Sequence, residues 1–164
     1  MRRTFVFGCM TIVAVLVLGQ VVRGADMIVG TWKINVAKSK YSPANLAPKS
    51  GTSKIEAAEG GIKVTTDGVD SQGRKTHTEY TAKFDGKDVP SNATVDGRPN
   101  REQDTAVWKK IDDYTYEVAT KLKGQTLTTT RIVVARDGKT RTNTATGKTP
   151  QGQAVNNTIL YEKQ

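Results

Sequence analysis

The chain has few residues of the types that carry covalent or metal chemistry. Its only cysteine, Cys9, lies in an N-terminal segment that we predict to be removed, which leaves no thiolate and no disulfide in the rest. His77 is the only histidine, so a haem or zinc site would lack its further ligands. No serine lies in a Gly-x-Ser-x-Gly turn of the kind that presents a hydrolase nucleophile. We therefore predict no cofactor, no metal site and no enzymatic activity.

Clusters of positive charge are also missing, although the chain is basic. It has 25 Lys and Arg against 16 Asp and Glu, which gives a formal net charge of +9. The basic residues stand singly on polar strand faces and in turns, whereas nucleic-acid binding requires clustered charge with exposed aromatics. We interpret them as solvated surface, able to attract anionic lipid or envelope polymers weakly, and we predict no nucleic-acid partner.

The only long apolar run is at the N-terminus. Arg2 and Arg3 precede residues 5–18, which are apolar apart from a glycine and a threonine. A basic start, an apolar stretch and a small residue at Gly24 are typical of a secretory signal peptide. We predict a signal peptide over residues 1–24, cleaved after Gly24, and a periplasmic or secreted protein without a membrane span. The run is shorter than the roughly 20 residues that cross a bilayer, but an uncleaved anchor is the alternative.

The rest of the chain alternates apolar and polar side chains with a period of two. Trp32 and Ile34 share one face of the first such segment, and Thr31 and Lys33 share the other. Glycine-containing turn signals separate the segments, and none of them has helical periodicity. The predicted strands cover residues 28–36, 50–58, 61–69, 74–84, 87–90, 104–112, 113–122, 125–135, 138–147 and 152–162.

These strands predict an all-β fold with a single domain over residues 25–164. Sequential antiparallel strands leave two free edges unless the sheet closes, and closure removes both edges. We therefore predict a single antiparallel up-and-down β-barrel of about 8–10 strands, with a β-sandwich as the alternative. The connections 37–49 and 90–103 contain prolines and are predicted to be loops rather than helices.

The two ends of the domain resemble one known superfamily. Gly30-Thr31-Trp32-Lys33 is similar to the Gly-x-Trp that opens the first strand of calycins, the superfamily of lipocalins and fatty-acid-binding proteins. Residues 124–131 and the closing Ile159-Leu160-Tyr161-Glu162-Lys163 resemble the last strands of fatty-acid-binding proteins. Residues 30–43 also look like a group of uncharacterised bacterial exported lipocalin-like proteins. The resemblance implies a lipocalin-like barrel in which Gly30 and Trp32 have structural roles.

The same resemblance implies a ligand, a small hydrophobic or amphipathic molecule such as a fatty-acid-like carboxylate. Tyr161 stands at the tyrosine of the Arg-x-Tyr carboxylate anchor of fatty-acid-binding proteins, but Ile159 occupies the position of its arginine. Arg131 matches the second, inward-facing arginine of that family. Segment 37–49 stands where the family has its helical lid, so we expect a barrel without one.

Strand parity gives an expected orientation for Arg131. It alternates in phase with Leu127 and Val133, so it points inward if these apolar residues do. A guanidinium inside a barrel then requires an anion, an internal carboxylate or water. Three alternatives do not require such a partner inside the barrel. Arg131 can lie at the rim and extend to solvent, or it can pair with Glu79 or Glu117. A slip of one residue in register would turn it to the outer face.

Ligand contacts are predicted at inward-facing strand positions. These positions mix apolar walls with hydroxyls and amides, which is typical of a small-molecule cavity. The six predicted ligand-binding residues are Arg131, Tyr161, Tyr116, Tyr80, Asn157 and Phe84. Further interior candidates are Ile34, Val64, Val118, Leu127, Val133, Asn143 and Ile159.

Two functions are open from the sequence. The first is an exported lipid-binding protein that holds a small hydrophobic or amphipathic ligand inside the barrel. The alternative is a non-catalytic interaction protein, a packed barrel or sandwich without a ligand, whose segments 37–49 and 90–103 contact another envelope component. An internal cavity of less than about 300 Å³ would favour the alternative.

Overall fold

The computed structural model describes residues 26–164, and the predicted signal peptide, with Cys9, lies outside the described residues. Within this range the chain is all-β, with a single 3₁₀ turn at Ala44–Leu46 and no α-helix. No helix of the described part is long and apolar enough to cross a membrane. The strands are β1 (Gly30–Lys40), β2 (Ser50–Ala58), β3 (Gly61–Val69), β4 (Lys75–Lys83), β5 (Asp85–Pro90), β6 (Asn92–Val95), β7 (Arg98–Pro99), β8 (Thr105–Lys110), β9 (Thr115–Leu122), β10 (Gln125–Val134), β11 (Thr140–Lys148) and β12 (Ala154–Lys163).

All twelve strands belong to one antiparallel sheet that curls into a half-barrel. Its order is β5-β8-β9-β10-β11-β12-β1-β2-β3-β4-β6-β7, so the terminal strands β1 and β12 pair with each other in the middle. The all-β prediction is confirmed at this level. The simple up-and-down order is wrong in one region, because β4 pairs with β6 and β5 pairs with β8.

The strand count is twelve rather than the predicted 8–10, because segment 90–103 is not a plain loop. It contains β6 and β7, which form a small hairpin with Thr94 opposite Pro99. The turn between them is Asp96-Gly97, with φ angles of 49° and 75°. Two consecutive positive φ angles are the requirement of a type I′ turn, which connects two-residue hairpins. The Asp-Gly pair therefore forms a hairpin too short to show an alternating pattern.

Side chains, rather than a backbone ladder, join the two halves of the curled sheet. Strand β4 packs against β5 and β8, although it pairs with neither in the described sheet. The buried indole Nε1 of Trp108 on β8 donates a hydrogen bond of 3.1 Å to the Tyr80 hydroxyl on β4. The ring centroid of Phe84 lies 6.3 Å from that of Trp108 and 5.5 Å from that of Tyr116. This aromatic cluster holds the inner faces of the two halves together.

Trp32 lies in the core on β1, and its side chain is fully buried. Its Nε1 donates a hydrogen bond of 2.8 Å to the Ile28 carbonyl oxygen. Gly30 has a φ of 144°, and a Cβ at this position would collide with the side chain of Lys163. The close approach places the Lys163 ammonium 5.1 Å from the Trp32 ring centroid.

Strand β10 contains a β-bulge, and it presents Arg131 on the outer face of the sheet. Thr126 pairs with Lys121 but Thr128 pairs with Thr120, which leaves Leu127 as the extra residue. Beyond the bulge the even-numbered residues point inward: Ile132 and Val134 are buried, whereas Arg131 and Val133 are exposed. The predicted inward orientation of Arg131 is therefore wrong, because Val133, which shares its face, is itself exposed.

Candidate functional site

A small cavity lies between the inner faces of the curled sheet and is partly open to solvent. Its volume is about 130 Å³. Its apolar wall is formed by Ile55, Val64, Trp108, Val118 and Ile132. Its polar wall is formed by Ser53, Thr66, Tyr80, Thr130, Arg141, Asn143 and Tyr161. No acidic side chain is among these lining residues, so the charge of Arg141 is not balanced within the described lining.

Arg141 is the dominant polar group of this site. It lies on β11 and is only 3% exposed. Its guanidinium carbon is 4.4 Å from the centroid of the Tyr161 ring and 5.2 Å from that of Trp32. Its Nε and Nη1 atoms are buried and have no hydrogen-bond partner within residues 26–164. Burial lowers the pKa of Arg141 to about 10, so the side chain stays charged at neutral pH.

The other polar groups of the cavity are uncharged. The Tyr80 hydroxyl accepts the hydrogen bond from Trp108, and burial raises the pKa of Tyr80 to about 12. The side-chain oxygen of Asn143 is buried and has no donor among the described residues. The cavity therefore offers a cation, neutral hydroxyl groups and a vacant amide acceptor.

Two of the six predicted ligand-binding residues, Tyr80 and Tyr161, line this cavity. Arg131 does not, because it is exposed on the outer face of β10, opposite Glu117 on β9 and Thr144 on β11. The structure thus replaces the predicted arginine with Arg141.

The remaining three predicted ligand-binding residues lie outside the cavity lining. Tyr116 is fully buried and its hydroxyl donates to the Asp113 carbonyl oxygen at 3.3 Å, while Phe84 packs beside it in the aromatic cluster. Asn157 accepts a hydrogen bond of 3.0 Å from the Ser42 backbone N–H and so holds segment 37–49 against β12. Parity predicted that all three side chains point inward. For Tyr116 and Phe84 the reason they do not line the cavity is that a large inward ring can fill the core instead.

Arg141 is a cavity-lining residue that was not among the residues predicted from the sequence. A signal was present, because Arg141 is two residues from Asn143 on the same strand and therefore shares its face. Asn143 is among the predicted interior residues and does line the cavity. The same parity argument, applied to β11, assigns Arg141 to the interior.

The size of the cavity limits what it can hold. Its 130 Å³ is below the roughly 300 Å³ at which pockets for drug-sized ligands begin. A cavity of about 150 Å³ holds benzene, so this one accommodates roughly six non-hydrogen atoms. The arrangement is therefore suited to a small anion or to the anionic head group of a longer molecule.

A second concave region lies on the surface beside the β6–β7 hairpin. Its volume is about 460 Å³. It is lined by side chains of both charge signs and by apolar groups: Arg74, Val95, Asp96, Arg98, Pro99, Asn100 and Glu102. Within residues 26–164, no group of three or more His, Cys, Asp or Glu is placed to hold a metal ion.

Comparison with known proteins gives no further assignment. No protein-family model matches the chain, and no curated protein matches it. The resemblance to calycins therefore stays a prediction from the sequence.

Proposed function

We propose that this protein is an exported, lipocalin-like protein that binds one small organic anion, of the carboxylate class, beside Arg141. The anion is either a molecule of about six non-hydrogen atoms or the head group of an amphipathic molecule whose tail leaves through the open side of the cavity. Binding, without catalysis, is the proposed activity.

The observation that carries this proposal is a buried guanidinium with unpartnered N–H groups beside a cavity. Transfer of a charged side chain into a protein interior costs roughly several kcal/mol, unless an opposite charge and hydrogen bonds compensate for this cost. A carboxylate supplies both, because it carries the opposite charge and its oxygens accept charge-assisted hydrogen bonds from a guanidinium. The lining includes no carboxylate that could do the same from within the described chain.

The position of Arg141 beside Tyr161 also supports the calycin-like interpretation. The sequence has Ile159 where fatty-acid-binding proteins have the arginine of their Arg-x-Tyr anchor. In the structure Arg141 is the direct partner of Tyr161 across the β11–β12 ladder, so the guanidinium comes from the neighbouring strand. An arginine and a tyrosine are thus brought together as in such an anchor, by different sequence positions.

The test combines native mass spectrometry with isothermal titration calorimetry. The protein, expressed from its full-length sequence and purified without detergent, is measured for a co-purifying adduct and then titrated with propionate, butyrate and octanoate. We expect binding of at least one of these anions, and a loss of at least tenfold in the Arg141→Met variant. Arg131→Met, which removes an exposed arginine of the same sheet, is the matched control and should bind like the wild type.

Two outcomes would contradict this proposal. One is an adduct-free mass together with no heat of binding for any of the three anions. The other is equal affinity in wild type and Arg141→Met, which would place the anion elsewhere on the basic surface.

A second candidate function is that of an interaction protein, and the small cavity favours it. An internal volume of 130 Å³ cannot bury an acyl chain, and the larger concavity lies on the surface within segment 90–103. Arg98→Glu together with Asn100→Arg would alter that surface without touching the core. If the protein binds none of the three anions, this candidate replaces the first.

A further inference from the structure

A second buried polar atom without a partner belongs to a residue of the cavity lining: it is the side-chain oxygen of Asn143. Asn143 and Arg141 are two residues apart on β11, so their Cα atoms are separated by about 6.6 Å and their side chains share one face. The residues directly opposite Asn143 on the two neighbouring strands are Ile132 and Ile159. Neither isoleucine has a hydrogen-bond donor in its side chain, which explains why the buried oxygen lacks one.

An oxygen in this state can accept a hydrogen bond from a donor group of a ligand. A buried acceptor that leaves water without gaining a hydrogen bond costs about 1–3 kcal/mol, so a ligand that supplies an O–H or N–H group gains over one that does not. The unpartnered N–H groups of Arg141 need an acceptor at the same time. A single molecule that satisfies both residues has an anionic group and a donor close to each other.

The charge of the site selects the kind of donor. An ammonium group beside Asn143 would stand next to the Arg141 cation, and no acidic residue lines the described cavity to balance the second positive charge. A hydroxyl donates a hydrogen bond without adding charge. The available volume, for roughly six non-hydrogen atoms, matches a three-carbon acid that has one hydroxyl.

We propose that the ligand of this cavity is a small 2-hydroxy carboxylate, whose carboxylate binds Arg141 and whose hydroxyl donates a hydrogen bond to the Asn143 side-chain oxygen. This inference rests on the proposed function, anion binding at Arg141, and adds the class of the anion. Arg141 provides the affinity for the charge, and Asn143 provides the selectivity for the hydroxyl group.

The experiment compares three probes of nearly equal size by calorimetry: L-lactate, propionate, which lacks the hydroxyl, and L-alanine, which has an ammonium group in its place. We expect the wild type to bind L-lactate at least tenfold more tightly than either of the others. In Asn143→Val, which keeps a residue suited to a strand, the preference for L-lactate over propionate should fall to less than threefold.

The outcomes separate this inference from the proposal on which it rests. Equal affinity of the wild type for L-lactate and propionate, with loss of both in Arg141→Met, overturns the role of Asn143 and keeps anion binding. Tighter binding of L-alanine than of L-lactate overturns the choice of a hydroxyl. Binding of none of the three probes overturns both. The wild-type comparison decides the matter even if Asn143→Val does not fold.

Discussion

The guanidinium carbon of Arg141 lies 4.4 Å from the centre of the Tyr161 ring, and the two residues are direct partners across the β11–β12 ladder. The Trp32 ring centre is 5.2 Å from the same carbon, so two aromatic rings hold the cation. A desolvated cation–π contact contributes about 2 kcal/mol, which offsets part of the cost of burial. The Nε and Nη1 atoms of Arg141 are buried and have no hydrogen-bond partner among the described residues.

The first prediction concerns the stability of the unliganded protein after loss of this cation. Arg141→Met keeps the long side chain and removes the charge. The variant loses the stabilising cation–π contacts, but it also loses the destabilising cost of an unpaired buried charge. We expect a free energy of unfolding within about 2 kcal/mol of wild type, measured by urea denaturation without added anion, instead of the roughly 3–5 kcal/mol lost when a large core residue is truncated.

The same variant should lose the stabilisation that a bound anion gives. Addition of a binding anion raises the unfolding midpoint of wild type and of the control Arg131→Met, because a ligand of the folded state stabilises it by mass action. A severe loss of stability in Arg141→Met without anion would instead show that the arginine has a mainly structural role.

The second prediction concerns the bond between Tyr80 and Trp108. Tyr80→Phe removes the acceptor of the indole N–H, and Trp108 is only 2% exposed. A buried donor left without a partner costs about 1–3 kcal/mol, and we expect that loss in thermal or chemical denaturation. Tyr114→Phe removes a hydroxyl from a half-buried ring near Arg136 and serves as control, with a change below about 0.5 kcal/mol. An unchanged stability of Tyr80→Phe would mean that the bond does not hold the two halves together.

The third prediction concerns the glycine at the start of β1. Gly30→Ala places a Cβ against the Lys163 side chain at a φ of 144°, a conformation that costs an L-residue about 1–3 kcal/mol. Lys163→Ala removes the collision but not the backbone strain. The double variant should therefore recover only part of the stability lost in Gly30→Ala, and a full recovery would show that the collision alone makes glycine necessary.

The fourth prediction is the pH dependence of anion binding. The pKa of Arg141 is lowered by burial to about 10, so the cation persists through neutral pH and is lost as the pH rises above that value. We expect a constant carboxylate affinity between about pH 6 and pH 9 and a decline above about pH 10, with circular dichroism as the control for folding. An affinity that stays unchanged up to about pH 11 in the folded protein would contradict the lowered pKa of Arg141, and loss of binding in Arg141→Met would then decide its role.

Stability is a poorer readout than binding in that range. The folded pKa of Arg141, about 10, lies below its ordinary value, so this group makes stability rise with pH above about 10. The pKa of Tyr80 is raised from 10.0 to about 12, so its contribution is fully present below pH 10 and is lost as the pH rises towards 12. The two contributions to stability oppose each other, so their sum changes little with pH. The affinity for the anion, in contrast, depends on the charge of Arg141 alone.

Local sequence patterns determined most of the strands. The predicted strands 50–58 and 61–69 have the same bounds as β2 and β3, because alternation and glycine turns act within a few neighbouring residues. The β6–β7 hairpin was missed since its strands are too short to alternate, although its Asp96-Gly97 turn is a local signal. Parity also assigned Tyr80, Asn143 and Tyr161 to the interior side that lines the cavity.

The tertiary structure decided which arginine faces the cavity and how the sheet is ordered. The structure buries Ile132 and Val134 rather than Val133, and this puts Arg131 on the outer face of β10; apolar residues on both faces of that strand left the choice open in the sequence. The pairing of Arg141 with Tyr161, and of β5 with β8, joins residues that are distant in the chain. The sequence by itself determined most of the strands and, except in β10, the inward faces discussed above, because these follow from side chains two residues apart. Which side chains line the cavity together depends on which strands become neighbours, and only the folded chain defines those neighbours.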